Sequence, residues 1–431
     1  MRTFNDTPTG IDRVEMAYAR HLDSHYRHCT RYLVTLNGYP QIIPSQVIRK
    51  FINVTQAVWS DASGAASTRS VDNLASFLDI PAMRLRGDTR ANGKWRARSA
   101  MRRFGAAQIL LHSALGQIHP RRIWSFNRGL RQSVYVNVSH ENLDNIHVAR
   151  WLEHKGVSRS IFMVHDLIPI THPQYVVPGA PKNHALRIKT IARNASCILT
   201  NSQDTKDVLM TYLAEQNLPV PRVQVAPLAI EDGFVHEYEP IESISPYFVY
   251  VSTLEPRKNH ISLLQVWDRL VEEMGPSAPK LVIVGRRGWE NENILDLLER
   301  APRIRSHVFE CTNLPDAVLG RLVANARSTL FPSYVEGYGL PVVESLALGT
   351  PAICSNIKVL KEIGDDLIDQ LDPLDGPEWI RAIKAYTSAP AQQVSQMRAR
   401  IKQQYRAPTW TDHMHVFDNA VADFFQPVLA A

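Results

Sequence analysis

The sequence predicts an α/β protein of two domains, each a parallel sheet of βαβ units. Three observations carry this. Short apolar runs alternate with helical patterns along the whole chain. The chain has 431 residues, long enough for two packed cores. A polar stretch with two prolines, 237–246, separates two such series of elements. That spacing places one domain over 1–240 and a second over 245–405, with a tail at 406–431.

In the first half the apolar runs 31–36, 133–138, 160–164, 196–200 and 222–226 read as strands. Helical patterns cover 11–22, 182–194 and 203–214, the last with Ser202 in position to cap it. In the second half strands are expected at 247–252, 280–284, 306–310, 328–331 and 351–354. Helices are expected near 260–274, 291–300, 315–326 and 341–348. Segment 405–425 holds Thr409-Trp410 and then a final helical pattern. There is no internal repeat.

Composition narrows the class. Apolar residues make up 45% of the chain, an ordinary globular value. No apolar run reaches the roughly 18 residues a membrane span needs. The opening residues are polar and hydroxylic rather than basic then apolar, so no secretory signal is expected. Cys29, Cys197, Cys311 and Cys354 are scattered without metal-ligand spacing, which predicts free thiols in a reducing cytoplasm.

The net charge of +6 is uneven: residues 1–240 hold 29 Lys and Arg against 19 Asp and Glu, whereas the remainder is acidic. A basic first half points to an anionic acceptor or membrane surface. Segment 84–104 concentrates it, with Arg84, Arg86, Arg90, Lys94, Arg96, Arg98, Arg102 and Arg103 against Asp88 alone. Two readings stay open there: a solvated insertion, or a basic face docking on anionic lipid or an acceptor diphosphate. Nucleic acid is disfavoured, because the cations are not interleaved with stacking aromatics.

The most specific pattern is Glu336-Gly337-Tyr338-Gly339-Leu340-Pro341-Val342-Val343-Glu344, between a buried strand and a helix ended by Gly349 and Pro351. Glycines at such a turn let backbone N–H groups approach an anion, and the helix N-terminus favours negative charge. A carboxylate at either end can accept hydrogen bonds from sugar or ribose hydroxyls. The combination suits a nucleotide-sugar.

This string resembles the acidic signature of the retaining glycosyltransferases of family four. Three further stretches are similar to that family in order and spacing: Val249-Tyr250-Val251-Ser252-Thr253-Leu254-Glu255-Pro256-Arg257-Lys258-Asn259, Leu281-Val282-Ile283-Val284-Gly285-Arg286-Arg287-Gly288-Trp289, and Thr350-Pro351-Ala352-Ile353-Cys354-Ser355. The resemblance covers roughly 245–376 and implies the GT-B fold: two Rossmann-like doubly wound domains facing across a cleft, with a C-terminal helix returning to the N-terminal domain.

The resemblance implies roles. Lys258 and Arg257 meet the donor diphosphate where charge develops, and Glu336 lies near the transferred sugar. Glu344 binds the ribose; Gly337, Gly339, Leu340, Gly285, Thr253 and Gly10 line the donor. His165, in Val164-His165-Asp166-Leu167-Ile168-Pro169, faces the sugar as a neutral imidazole. Asp166 orients that ring or helps bind the acceptor, while Arg13 and His140, beside Glu141, are further acceptor contacts. No metal or other cofactor is implied, so the acidic stretch 364–373 reads as a solvated turn.

Thr-Gly-Ile-Asp-Arg at 9–13, taken with the histidine and lysine motifs, is similar to bacterial mannosyltransferases of surface-polysaccharide assembly. This implies GDP-mannose, a lipid-linked or oligosaccharide acceptor, and a cytoplasmic protein peripheral to the inner membrane face. A UDP-sugar donor is the alternative. The family opens on an apolar strand, whereas this chain reaches Thr9-Gly10 at once. The start is therefore expected to lie downstream of the true one. Two rivals of other classes remain: a non-catalytic binding scaffold on the same fold, and a dinucleotide oxidoreductase, which lacks its clustered glycine fingerprint.

Overall fold

The computed structural model describes residues 8–36, 39–61, 68–86, 99–109, 133–154, 159–241, 245–312 and 314–425. They fall into two compact units, one drawn from 1–61, 93–228 and 408–431, the other from 62–92 and 229–407.

The first unit contains a parallel sheet of β3 (Val134–Asn137), β4 (Arg159–Val164), β5 (Cys197–Thr200) and β6 (Arg222–Val225), in that order. Its strands are short and apolar because helices cover them. Ile161, Phe162, Met163 and Val164 of β4 are fully buried, and Phe162 and Val164 share one cluster with Ile188 and Ile191 of helix Ala180–Asn194 and Leu209 and Leu213 of helix Gln203–Glu215. Ser202 caps the latter helix, its hydroxyl accepting from Thr205 N at 3.0 Å.

A second cluster joins Met16 of helix Gly10–His25, Ile43, and Ile48, Phe51 and Ile52 of helix Ser45–Asp61 to Ala106 and Ile109. Helix Trp410–Asp423 also packs here. The Tyr18 hydroxyl donates to His413 Nε2 at 2.8 Å, and His413 Nδ1 donates to Pro227 O. Asp418 receives both His21 and Tyr26.

The second unit contains a six-stranded parallel sheet in the order β12-β11-β10-β7-β8-β9. Its strands are β7 (Tyr247–Val251), β8 (Lys280–Val284), β9 (Val308–Cys311), β10 (Ser328–Phe331), β11 (Ala352–Ser355) and β12 (Asp369–Leu371). The chain runs outward from β7 through β8 and β9, then returns to the other side of β7 as β10. The strand order therefore reverses between β7 and β10.

Four features differ from the sequence reading. The run 31–36 is not part of a parallel sheet: β1 (Tyr32–Leu36) pairs antiparallel with β2 (Tyr39–Ile43), because two intervening residues can bridge only a hairpin. The run 306–310 is split: Pro302 opens helix Pro302–His307, and β9 begins at Val308. Residues 68–86 group with the later unit, not with the earlier one. Phe77 stacks on Phe309 at 5.3 Å, Lys280 pairs with Asp79, and Arg321 Nη1 donates to Leu85 O at 2.8 Å.

The basic stretch 84–104 is not one solvated face, since Arg86 pairs with Asp72 and Arg102 is buried. Arg90, Lys94, Arg96 and Arg98 lie outside the described residues, as does the expected missing strand before Thr9.

At Gly285 the strand ends approach so closely that a Cβ would stand 1.7 Å from Ser252 O. Gly285→Ala is therefore expected to lower unfolding stability by about 3 kcal/mol or more. Gly376→Ala, whose Cβ would meet nothing nearer than Val266 Cγ2 at 3.9 Å, should stay within about 0.5 kcal/mol of wild type. Urea unfolding of the two variants makes the comparison, and equal midpoints would contradict it.

Candidate active site

In open parallel sheets, ligands bind beyond the carboxyl ends of the strands where the order reverses. Here that point is the β7/β10 boundary. The loop after β7 carries Pro256–Lys258 as one tight turn, followed by Asn259 at φ 57°, a left-handed conformation that asparagine tolerates. The loop after β10 runs from Pro332 to Gly339.

Hydrogen bonds lock the two loops together. Tyr250 Oη donates to Lys258 O at 2.6 Å, Tyr334 N donates to Arg257 O at 2.9 Å, and Asn259 Nδ2 donates to both Pro332 O and Pro373 O at 3.0 Å.

Glu336 lies between two cations within this frame. Arg257 Nη1 donates to its Oε2 at 2.8 Å and also to Val335 O at 3.2 Å, while Lys258 Nζ bonds its Oε1. Glu255, 3% exposed, takes the other side of Arg257, with Nε 2.6 Å from its Oε1.

The electrostatics follow. Burial acts to raise the Glu336 carboxyl, but Lys258 and Arg257 outweigh it and hold its pKa at about 2. Glu336 is thus ionised at neutral pH. Lys258 is pushed down, by burial first and by Arg257 second, against the pull of Glu336. Glu255 is raised by burial, with Arg257 opposing.

The donor-side glycines serve the backbone. Gly339, at φ 126°, caps helix Leu340–Ala347; a Cβ there would strike Leu360 Cδ2 at 2.7 Å. Val342 and Val343 N–H groups return to Gly339 O, so Leu340 N–H stands at the helix mouth. Glu344 is half-buried one turn further in, and Gly337 lies in the loop beside Glu336. Thr253 and Gly285 follow β7 and β8, with Gly285 N bonded to Cys311 O at 2.9 Å. In 364–373, Asp366 pairs with Arg400 and Asp372 Oδ1 accepts from Leu374 N.

In the first unit, His165 is buried at the carboxyl end of β4 and His140 at that of β3, their ring centroids 5.3 Å apart. The His165 ring is oriented by Val138 O, 2.6 Å from Nε2, not by Asp166. The Asp166 carboxylate instead accepts from Ile168 N at 3.0 Å. Gly10 is the exposed first residue of its helix, and Arg13 is half-buried one turn on.

Sequence reasoning passed over Glu255, Tyr250 and His184. The signal for Glu255 was a carboxylate placed directly before Pro-Arg-Lys. His184 had none, since its packing against His140 at 5.6 Å depends on the tertiary fold.

The profile of the glycosyl transferases group 1 family matches residues 235–371. The O-antigen chain mannosyltransferase B of Escherichia coli is 30% identical over 313 residues, covering 70% of this chain and 76% of that protein. This chain belongs to the group 1 glycosyl transferases.

The serotype-specific mannosyltransferase WbdA of Escherichia coli is 26% identical to the transferase over 220 residues. The match spans 48% of this chain and only 27% of that much longer relative. Among solved structures, HepE of Anabaena with UDP and glucose is 15% identical, covers 72% of the transferase and 83% of its own chain, and gives a TM-score of 0.54. The α,α-trehalose-phosphate synthase of Burkholderia xenovorans is 13% identical, covers 69% and 76%, and also scores 0.54. These likenesses establish the GT-B fold.

The Glu336 pairing sets a pH dependence. Its folded pKa, about 2, lies below its ordinary 4.5, so the stabilisation is complete above 4.5 and fades as pH falls toward 2. Acid titration of unfolding should show this limb in wild type and lose most of it in Glu336→Gln. An identical acid limb in both would contradict the pairing.

Proposed function

We propose that the transferase moves a hexose with retention of configuration, specifically mannose from GDP-mannose, onto a lipid-linked or oligosaccharide acceptor of a surface polysaccharide. The relatives' names support the sugar: mannosyltransferases recur among them, two of them of O-antigen chains, including RfbU of Salmonella typhimurium, 24% identical over 235 residues. The observation that carries the chemistry is the Arg257–Lys258–Glu336 cluster at the reversal of strand order.

Cleavage of the sugar–phosphate bond leaves a nucleoside diphosphate with added negative charge. Lys258 supplies a point charge and Arg257 a fork, both already oriented, so stabilisation grows as the bond breaks. Glu336 holds the cations in place before the donor arrives. With the diphosphate bound, its carboxylate is left beside the sugar carbon that gains positive character. Leu340 and Gly339 offer backbone N–H groups to phosphate, Gly337, Gly285, Thr253 and Gly10 line the donor, and Glu344 accepts from ribose.

His165 accepts from a sugar hydroxyl, with Asp166, Arg13 and His140 toward the acceptor. No carboxylate is assigned as a nucleophile, so attack comes from the face of the departing diphosphate, which takes the acceptor's proton. Side-chain cations do the work of a metal in this scheme. A lipid-borne acceptor would bring the protein to the cytoplasmic membrane face.

A panel of GDP- and UDP-sugars with product NMR tests this. GDP-mannose should give a product with the donor's anomeric configuration, unaffected by chelator. An inverted product refutes the mechanism, a UDP-sugar preference refutes the donor, and no turnover of any nucleotide-sugar favours the scaffold. Lys258→Ala should lower kcat by about 10²–10³-fold with a smaller change in KM. An effect confined to KM would contradict its role at the leaving group.

A further inference from the structure

Strands β3 and β4 pair in parallel register, with Asn137 opposite Phe162. Carried three residues past that pair, the register sets His140 opposite His165. The two rings cross over between the strands. The His165 ring reaches Val138 O, two residues before His140. The His140 ring packs on that of His165, and the backbone of Met163, two residues before His165, favours its protonated form.

A carbonyl only accepts, so the His165 ring spends its N–H on the neighbouring strand. His184 follows the same rule, its Nε2 donating to Asp166 O at 3.0 Å. His165 and His184 each keep Nδ1 as a lone pair, and among the described residues His140 Nε2 is buried with no hydrogen-bond partner.

His140 sits at φ 62° and Asn142 at φ 63°, a left-handed region uncommon for L-residues and visited chiefly by asparagine, aspartate and histidine. Asn137 Oδ1 fixes the turn by accepting from both Ser139 N and His140 N at 3.2 Å. A buried ring nitrogen without a partner, on a turn fixed at the carboxyl end of a parallel strand, points to a site rather than to ordinary packing.

We propose that His140 is a positioning residue for His165: the crossed pair fixes His165 with Nε2–H tied to Val138 O and Nδ1 left as acceptor for a sugar hydroxyl. The inference rests on the reading of His165 as a sugar contact and deepens it. Bare imidazole lone pairs match hydroxyl donors and repel phosphate oxygens, so this end of the unit takes carbohydrate rather than the diphosphate.

Burial dominates the charge state of the group and lowers both His140 and His165 from the ordinary histidine range. The charged or titratable groups facing them are Asp166 alongside, Glu15 on helix Gly10–His25, His184 and Arg187 on helix Ala180–Asn194, and His413 on the C-terminal helix. Removing the His140 ring admits water beside His165, relieves the penalty on its imidazolium and raises its pKa. The acid limb of activity then moves to higher pH.

His140→Gly deletes the ring without opposing the positive φ, and His140→Asn keeps a short donor at a backbone angle asparagine accepts. Transfer by His140→Gly should fall about tenfold more at about pH 6 than at about pH 8, relative to wild type. Nitrogen NMR should show His165 leaving its single Nε2–H tautomer, and His140→Asn should restore much of both readouts.

A wild-type pH profile and tautomer in His140→Gly would overturn the proposal. So would an equal loss at every pH with a lower Tm, which marks mere support. Undiminished transfer by His165→Ala would overturn it too. If no nucleotide-sugar is turned over at all, the functional reading fails separately, and the NMR comparison still decides whether His140 holds the ring.

Discussion

One ionised carboxylate shared between two adjacent cations organises this protein's candidate site. Arg257 and Lys258 are neighbours in sequence and repel each other, and both are largely withdrawn from water. Glu336, reaching from the loop after β10, makes that burial tolerable, and the same contacts tie two loops across the reversal of strand order. A buried pair of this kind adds little net stability, since desolvation consumes most of the attraction. Its value lies in pre-orientation: the cations need not reorganise when an anion replaces the carboxylate.

The two units carry different candidate groups. The later one gathers Lys258, Arg257, Glu255 and Glu336 beside a helix mouth, proposed above to take phosphates and ribose. The earlier one gathers His140, His165 and His184, whose charged forms burial disfavours, proposed above to face hydroxyls. All of these but His184, which lies on helix Ala180–Asn194, follow the carboxyl ends of parallel strands, because the βαβ winding leaves those ends bare while helices cover the faces.

Much of this was legible in the sequence for one reason. Strands such as β4, β7 and β8 are buried on both faces and therefore written as mainly apolar runs, and helices such as His260–Met274 carry an apolar stripe. The placing of Lys258 and Glu336 in one donor site came from the family resemblance of their motifs, whereas their ion pair appears only in the structure. What escaped had weak local signals. β12 is three residues, Asp369–Leu371, with no apolar run. Helix Ser45–Asp61 shows helical spacing in Ile48, Phe51, Ile52 and Val58 but lies outside any motif. The burial of Arg102 and the attachment of 68–86 to the later unit depend on neighbours distant in sequence. The crossing of His140 and His165 depends on sheet register, which a single strand does not reveal.

The Arg257–Lys258–Glu336 cluster is proposed to receive a nucleoside diphosphate, and a crystal structure with that ligand bound decides the matter. Phosphate oxygens are expected hydrogen-bonded to Lys258 Nζ, the Arg257 guanidinium and Leu340 N–H, with the Glu336 carboxylate withdrawn from at least one cation. A diphosphate bound elsewhere, with both ion pairs of Glu336 intact, would contradict it.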